Sequence, residues 1–159
     1  MGPLSVTTEG VFFLPYLYSS MSRILAIDYG AKRTGIAVTD ILKLSINGLP
    51  TVQTSELITF LSSYLNDENV GDIVIGRPRH KDGSLTKLND KIDKLEEYLS
   101  KTFQKIELHF VDESYTSVEA KGIILAHGVK KSKRREKELT DKVSAMIILN
   151  RFLEQKENR

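Results

Sequence analysis

The stretch ILAIDYGAKRTGIAVTD, residues Ile24–Asp40, decides the fold. An apolar, β-favouring run ends in Asp28. A short loop with Gly30, Lys32 and Arg33 follows, and a second apolar run begins at Thr34. Two such runs joined by a short glycine-containing loop read as a β-hairpin. The first strand is buried in character, so the carboxylate at its tip needs a cause. Either Asp28 stabilises its own turn, or it faces a ligand.

Beyond the hairpin, a third strand is expected over Leu49–Gln53. Ser55 can cap a helix through Leu65 that carries Leu57, Ile58, Leu61 and Leu65 on one face. DIVIG, Asp72–Gly76, has the continuous apolar character of a buried parallel strand. RPRHKDGS is loop by composition, and the spacing Leu85, Leu88, Ile92, Leu95, Leu99 predicts a helix to about Thr102. IELHFVDE reads as a strand ending in two acids. Thr116 with Glu119 forms a capping box that opens a helix, and Gly128 closes it. A final helix is expected from Thr140, with Val143, Ile147, Leu149 or Ile148, and Phe152 or Leu153 turned inward. The order β-β-β-α-β-α-β-α-α implies an α/β fold: a mixed sheet, antiparallel meander then βα units, covered by helices.

The chain has 159 residues, a net charge of +2 and no cysteine, which excludes disulfides and thiolate metal sites. Residues 1–20 read as a flexible, dispensable N-terminal extension and 21–159 as a single domain, with Met21 a candidate start. The apolar piece Val11–Tyr18 is short, is broken by Pro15 and has no basic residue before Arg23. Neither a secretion signal nor a membrane span is expected from it, and a cytoplasmic location fits.

Three sets of acids fall at the ends of elements: Asp28, the pair Asp112–Glu113, and Asp141. In an open α/β sheet, ligands gather at the carboxyl ends of the strands. Carboxylates brought together there raise one another's pKa unless a cation intervenes, and hard oxygen ligands select Mg²⁺ or Mn²⁺, as one ion or two. Each acid also has a plain reading. Asp141 can serve the helix dipole, and Asp112–Glu113 can be a solvated strand end.

Cations flank this presumed rim: Lys32, Arg33, Arg77, Arg79 and Lys81. KKSKRREK, residues 130–137, holds six cations and one acid, among them Lys130, Lys131, Lys133, Arg134 and Arg135. Such a run reads either as a solvated loop or as a contact for a polyanion backbone. His80, His109 and His127 show no zinc spacing, and His109 reads as a packed strand residue.

Four blocks in order, AIDYGAKRTGIAVTD, IVIGRPRHKDGS, VDESYTSVEA and DKVSAMIILNRFL, resemble the YqgF/RuvX family. These proteins are provisionally named pre-16S rRNA nucleases and were earlier labelled Holliday junction resolvases. The resemblance runs from Arg23 to Leu153 and implies an RNase H-like fold and a metal-dependent endonuclease. On it, Asp28, Glu113 (or its neighbour Asp112) and Asp141 are the metal-binding and catalytic acids, with water as nucleophile. Ser114 stands where the family commonly has arginine; if that arginine holds phosphate, either another cation, Arg77 or Arg79, takes its place or binding is weaker.

The leading function is then processing of the 5′ end of pre-16S ribosomal RNA by a monomer or homodimer. The alternatives are a resolvase acting on four-way DNA and a non-catalytic RNA-binding module. A sugar-kinase or actin-like reading of DYGAKRTG needs two lobes and far more chain.

Overall fold

In the computed structural model, which describes residues 5–6, 12–13, 21–79, 86–113, 116–128 and 133–159, Ser5–Val6 (β1) pairs antiparallel with Phe12–Phe13 (β2), apart from the main sheet. The rest of the expected extension lies outside the described residues. The deciding stretch folds as the expected hairpin: Arg23–Asp28 (β3) runs antiparallel to Arg33–Thr39 (β4), with Asp28 opposite Gly35. The turn requires Gly30, because a Cβ there would sit 2.1 Å from the Arg33 carbonyl oxygen.

The third strand differs from its expected bounds. Pairing with β4 begins earlier, at Ile46–Gly48 (β5), and resumes at Val52–Gln53 (β6) after a break around Pro50. Proline has no N–H to give a ladder, which accounts for the interruption. Val70–Arg77 (β7) and Glu107–Asp112 (β8) add in parallel, giving the order β5-β4-β3-β7-β8 with β6 on the far end of β4. The carboxyl ends of β3, β7 and β8 therefore share one rim.

Helices cover both faces. Leu57–Asp67 (α1) and Asn89–Thr102 (α2) bury Leu57, Leu61, Ile92, Leu95 and Leu99 against Leu25, Ile27, Ile36, Ile73 and Ile75. Ser55 does not cap α1. It lies within a 3-10 turn, Thr54–Glu56, and Ile58 stays partly exposed. The opposite face carries Lys133–Glu157 (α4), and Thr116–Ala126 (α3) packs against that helix. Ala145, Ile148, Leu149 and Phe152 of α4 pack on Ile24, Ala26, Ala37, Val74 and Val111. Gly128, at φ 65°, ends α3 as expected.

Two helix starts need correction. Thr116 is the first residue of α3 and its hydroxyl donates to the Glu113 carbonyl at 3.0 Å, while Glu119 reaches across to Arg151 instead of closing a capping box. The last helix begins at Lys133 and runs 25 residues, so Thr140 and Asp141 sit two turns inside it. Lys, Arg and Glu are good helix formers and no Gly or Pro interrupts residues 133–157, so the charged run continues the helix. No helix among the described residues is long and apolar enough to cross a membrane.

Candidate metal centre

Strand alternation sends Asp28 to the α4 face, on the side of Ala26 and away from Leu25 and Ile27. Glu113 follows β8, two strands away, with β7 in between. Its backbone is pinned: the Glu113 amide donates to the Arg77 carbonyl at 3.3 Å, and the Thr116 amide donates to the Glu113 carbonyl at 3.0 Å. The side chain crosses β7 over Gly76, where a Cβ would lie 2.4 Å from Glu113 Oε2. There it forms a hydrogen bond with Asp28. Glu113 Oε2 is buried and has no hydrogen-bond partner.

Burial of this pair sets its proton count. Burial first, then the Asp28 charge, pushes the Glu113 carboxyl up to about 9, with Arg151 opposing the shift. Burial, aided by the Asp141 charge, raises Asp28 to about 6, and the hydrogen bond donated by Glu113 restrains that rise. At neutral pH the pair thus retains a proton between two carboxyls whose values are both raised.

Asp141 reaches the same rim because α4 lies directly on β4. A Cβ at Gly35, the partner of Asp28 in the ladder, would sit 2.1 Å from the Asp141 carbonyl oxygen. The Asp141 carboxylate is close enough to raise Asp28, yet it turns to Arg33, whose Nε lies 2.8 Å from Oδ2. Asp112 is exposed and acts on Glu113 only through its charge. The structure thus joins Asp28 and Glu113 directly, sets Asp141 beside them, and leaves Asp112 outside.

Among the described residues, the one trio of acidic and imidazole ligand atoms all within 4.8 Å of one another is Asp72, Glu107 and His109, at the opposite end of the strands. His109 Nε2 is 2.8 Å from Asp72 Oδ1, and Lys156 Nζ lies 3.9 Å from that same oxygen. A lysine already on the carboxylate disfavours a second cation there, and the His109 ring packs on Phe152 with centroids 4.7 Å apart. The packing role expected for His109 holds.

The family model described as RuvX: Holliday junction resolvase matches residues 22–155. The chain belongs to the RuvX family. A relative from Bacteroides thetaiotaomicron is 46% identical over 136 residues, covering 86% of this chain and 99% of its own. One from Porphyromonas gingivalis is 46% identical over 134 residues, covering 84% and 97%. One from Christiangramia forsetii is 44% identical over 133 residues, covering 84% and 98%. All three bear the provisional name pre-16S rRNA nuclease. The mixed sheet and the family together establish the RNase H-like fold.

One cation beside the acidic pair is not among those expected. Arg151 of α4 donates to the Asp112 carbonyl at 3.0 Å, pairs with Glu119, and is the charge that opposes protonation of Glu113. Arg77 instead pairs with Asp93 at 2.8 Å and Glu96 at 3.1 Å and lies 4.0 Å above the Phe110 ring. Those contacts engage its guanidinium within the protein. Lys32 and Arg79 are exposed near the rim. Lys81, Lys130 and Lys131 fall outside the described residues, as do the side chains of Lys133, Arg134 and Arg135, although the last three lie in α4.

Sequence reasoning missed Gly35, Gly76 and Arg151. The two glycines had a signal, since glycine inside a strand marks the close approach of another group. Arg151 had none, being one cation among many on a long helix.

Proposed function

We propose that the chain is a divalent-metal-dependent endonuclease, with Asp28, Glu113 and Asp141 as its metal-binding acids and precursor ribosomal RNA as its substrate. The observation that carries this reading is the buried Asp28–Glu113 pair, two carboxyls in hydrogen-bond contact with Asp141 beside them, whose mutual repulsion a cation would relieve. Two further observations fit a hard cation: the donor set is all carboxylate oxygen, and Glu113 Oε2 is buried without a partner. A bound Mg²⁺ or Mn²⁺ supplies Lewis-acid stabilisation of the phosphodiester and an activated water.

The chain's own residues do the rest. With a cation bound, Asp28 and Glu113 would release their shared proton to solvent and present oxygens from the tip of β3 and the residue after β8. Asp141 completes the set from α4, while Arg33, its present partner, is positioned to take a phosphate oxygen. Arg151 moderates the charge at Glu113. Pre-16S ribosomal RNA is the favoured substrate because the relatives carry that name, and we take its 5′ end as the processed site and the cytoplasm as the location.

The test is incubation of a transcript spanning the 5′ end of precursor 16S RNA with Mg²⁺ or Mn²⁺, comparing the native chain with Asp28→Asn. Metal-dependent cutting lost in the variant supports the reading, and equal cutting by both removes it. A four-way DNA junction in parallel decides the substrate: preferential cutting of the junction transfers the assignment to junction resolution, in keeping with the family description.

A further inference from the structure

On the face of the sheet opposite the carboxylates, a cavity of about 330 Å³ opens between α1 and α2. That volume is at the lower end of the range small ligands fill, about 300–1,000 Å³. Its wall includes Tyr29, Tyr98, Lys91, Lys94, Leu57 and Leu95. Tyr29 directly follows Asp28, so the cavity and the acidic pair lie on the two sides of one strand tip. The floor is apolar, because Leu57 and Leu95 belong to the core and Tyr29 and Tyr98 pack against it. The Tyr98 hydroxyl is held 3.3 Å from Ser62 Oγ.

The charge on α2 is sorted in a way that matters here. Of its acids, Asp93 and Glu96 bind Arg77 and Glu97 binds Lys101, which leaves Asp90 in the first turn. Among the described residues no acidic side chain pairs with Lys91 or Lys94, and both are exposed. Two tyrosine rings over an apolar floor, rimmed by two unneutralised ammonium groups, match the faces and charges of a nucleotide. Stacking rings beside cations are how single strands are held without base readout.

We infer that this cavity binds an unpaired nucleotide of the substrate strand next to the cleaved bond, its base against Tyr29 and Tyr98 and its phosphates toward Lys91 and Lys94. The inference rests on the nuclease reading above for the direction of the strand, which passes over the tip of β3 from the acidic pair into the cavity. A base-paired nucleotide does not fit this description, since its ring faces are occupied by neighbours in the stack. The cavity therefore selects substrates with a single-stranded segment at the cleavage point, whether RNA or DNA.

The test is fluorescence anisotropy of a labelled twelve-nucleotide single strand on the full chain in EDTA, across a salt series, with the same sequence as a duplex alongside. Lys91→Ala with Lys94→Ala is expected to weaken single-strand binding and reduce the salt slope by about 1.4, two phosphate contacts at roughly 0.7 each. Tyr29→Ala is expected to cost about ten- to a hundred-fold, the loss of one stacked base, while Tyr29→Phe retains binding. Duplex binding changes little in all of them. Native affinity and slope in the double lysine variant overturn the inference, as does an equal loss on single strand and duplex. Because the two lysines are exposed, their variant keeps the fold and decides the matter even if Tyr29→Ala unfolds. Asp28→Asn in the Mg²⁺ cleavage assay described above separates the two readings: if it still cuts, the nuclease assignment fails, whereas the cavity stands or falls on single-strand affinity in EDTA alone.

Discussion

Arg33 Nε lies 2.8 Å from Asp141 Oδ2, joining the first hairpin to the last helix across 108 residues of chain. The pair is partly exposed, at 33% and 22% for the two side chains, so its contribution to stability is about 1 kcal/mol or less. Its larger effect is on charge, since it offsets the third carboxylate at a rim that already holds Asp28 and Glu113. Arg33→Gln is expected to bind Mn²⁺ roughly two- to ten-fold more tightly, because a cation near the site is gone, and to bind RNA more weakly. Calorimetric titration with Mn²⁺ and an RNA affinity measurement read the two arms. Weaker Mn²⁺ binding in the variant would show that Arg33 holds Asp141 in a productive place and does not oppose the ion.

Two strand glycines make room for the acids, and they differ in what fills the room. At Gly35 a Cβ would meet the backbone of Asp141, with the oxygen at 2.1 Å and the carbonyl carbon at 2.7 Å, so α4 itself must move. At Gly76 it would meet the flexible end of Glu113 at 2.4 Å and the Ile148 Cδ1 at 2.6 Å. Gly35→Ala is therefore expected to lose about 3 kcal/mol or more in urea unfolding, and Gly76→Ala about 1–2 kcal/mol with a large loss of cutting. Gly122 is the internal control: nothing lies within 4 Å, so Gly122→Ala in α3 gains about 0.5–1 kcal/mol from helix propensity. A Gly35→Ala protein as stable as the native chain would contradict the direct seating of α4 on β4.

The shared proton makes metal-free stability fall as pH rises. Asp28 and Glu113 have folded-state values of about 6 and about 9 against ordinary ones of 3.8 and 4.5. Raised carboxyl values mean the folded state holds protons more tightly. The stabilisation from this source is complete below about pH 4 and is lost as pH climbs, first through about 6 and then toward about 9. Asp28→Asn removes the charge that Glu113 opposes. Its melting temperature in EDTA should exceed that of the native chain at pH 8, with the gap narrowing toward pH 5. A gap that does not vary with pH would mean the two carboxyls are not coupled. A divalent ion replaces the proton, so Mg²⁺ should stabilise the native chain more at pH 8 than at pH 6.

How much of this could be read in advance depended on the range of the contact. The hairpin was legible because Gly30 and two apolar runs are a local pattern, and so were β7 and α2. The start of α4 was not, because the charge run ahead of Asp141 was weighed as a polyelectrolyte when its residues are also strong helix formers. Asp141 reads as a residue of the last helix's first turn, whereas it lies two turns inside. The meeting of Glu113 with Asp28 depends on a side chain crossing a whole strand at Gly76, which no spacing within either segment announces. Arg77 shows the same limit, since a cation after a strand end looks alike whether it waits for phosphate or turns to acids on the next helix.

That last case gives a clean separation of roles. Arg77 has 18% of its side chain exposed, binds Asp93 and Glu96, and stacks over Phe110 at 4.0 Å, tying the end of β7 to α2 and β8. The partners are half-exposed acids, so each ion pair alone is weak, but the two pairs and the ring together bring the expected cost of Arg77→Ala to about 1–2 kcal/mol. The loss should appear as a lower urea midpoint with an unchanged salt slope for single-stranded RNA, because the guanidinium is already engaged within the protein. Lys91→Ala with Lys94→Ala should do the reverse, leaving the urea midpoint within about 0.5 kcal/mol and flattening the slope. Measured side by side, the two variants distinguish a cation that holds the sheet to its helix from cations that face the substrate. A flattened slope in Arg77→Ala would return that residue to the nucleic-acid surface.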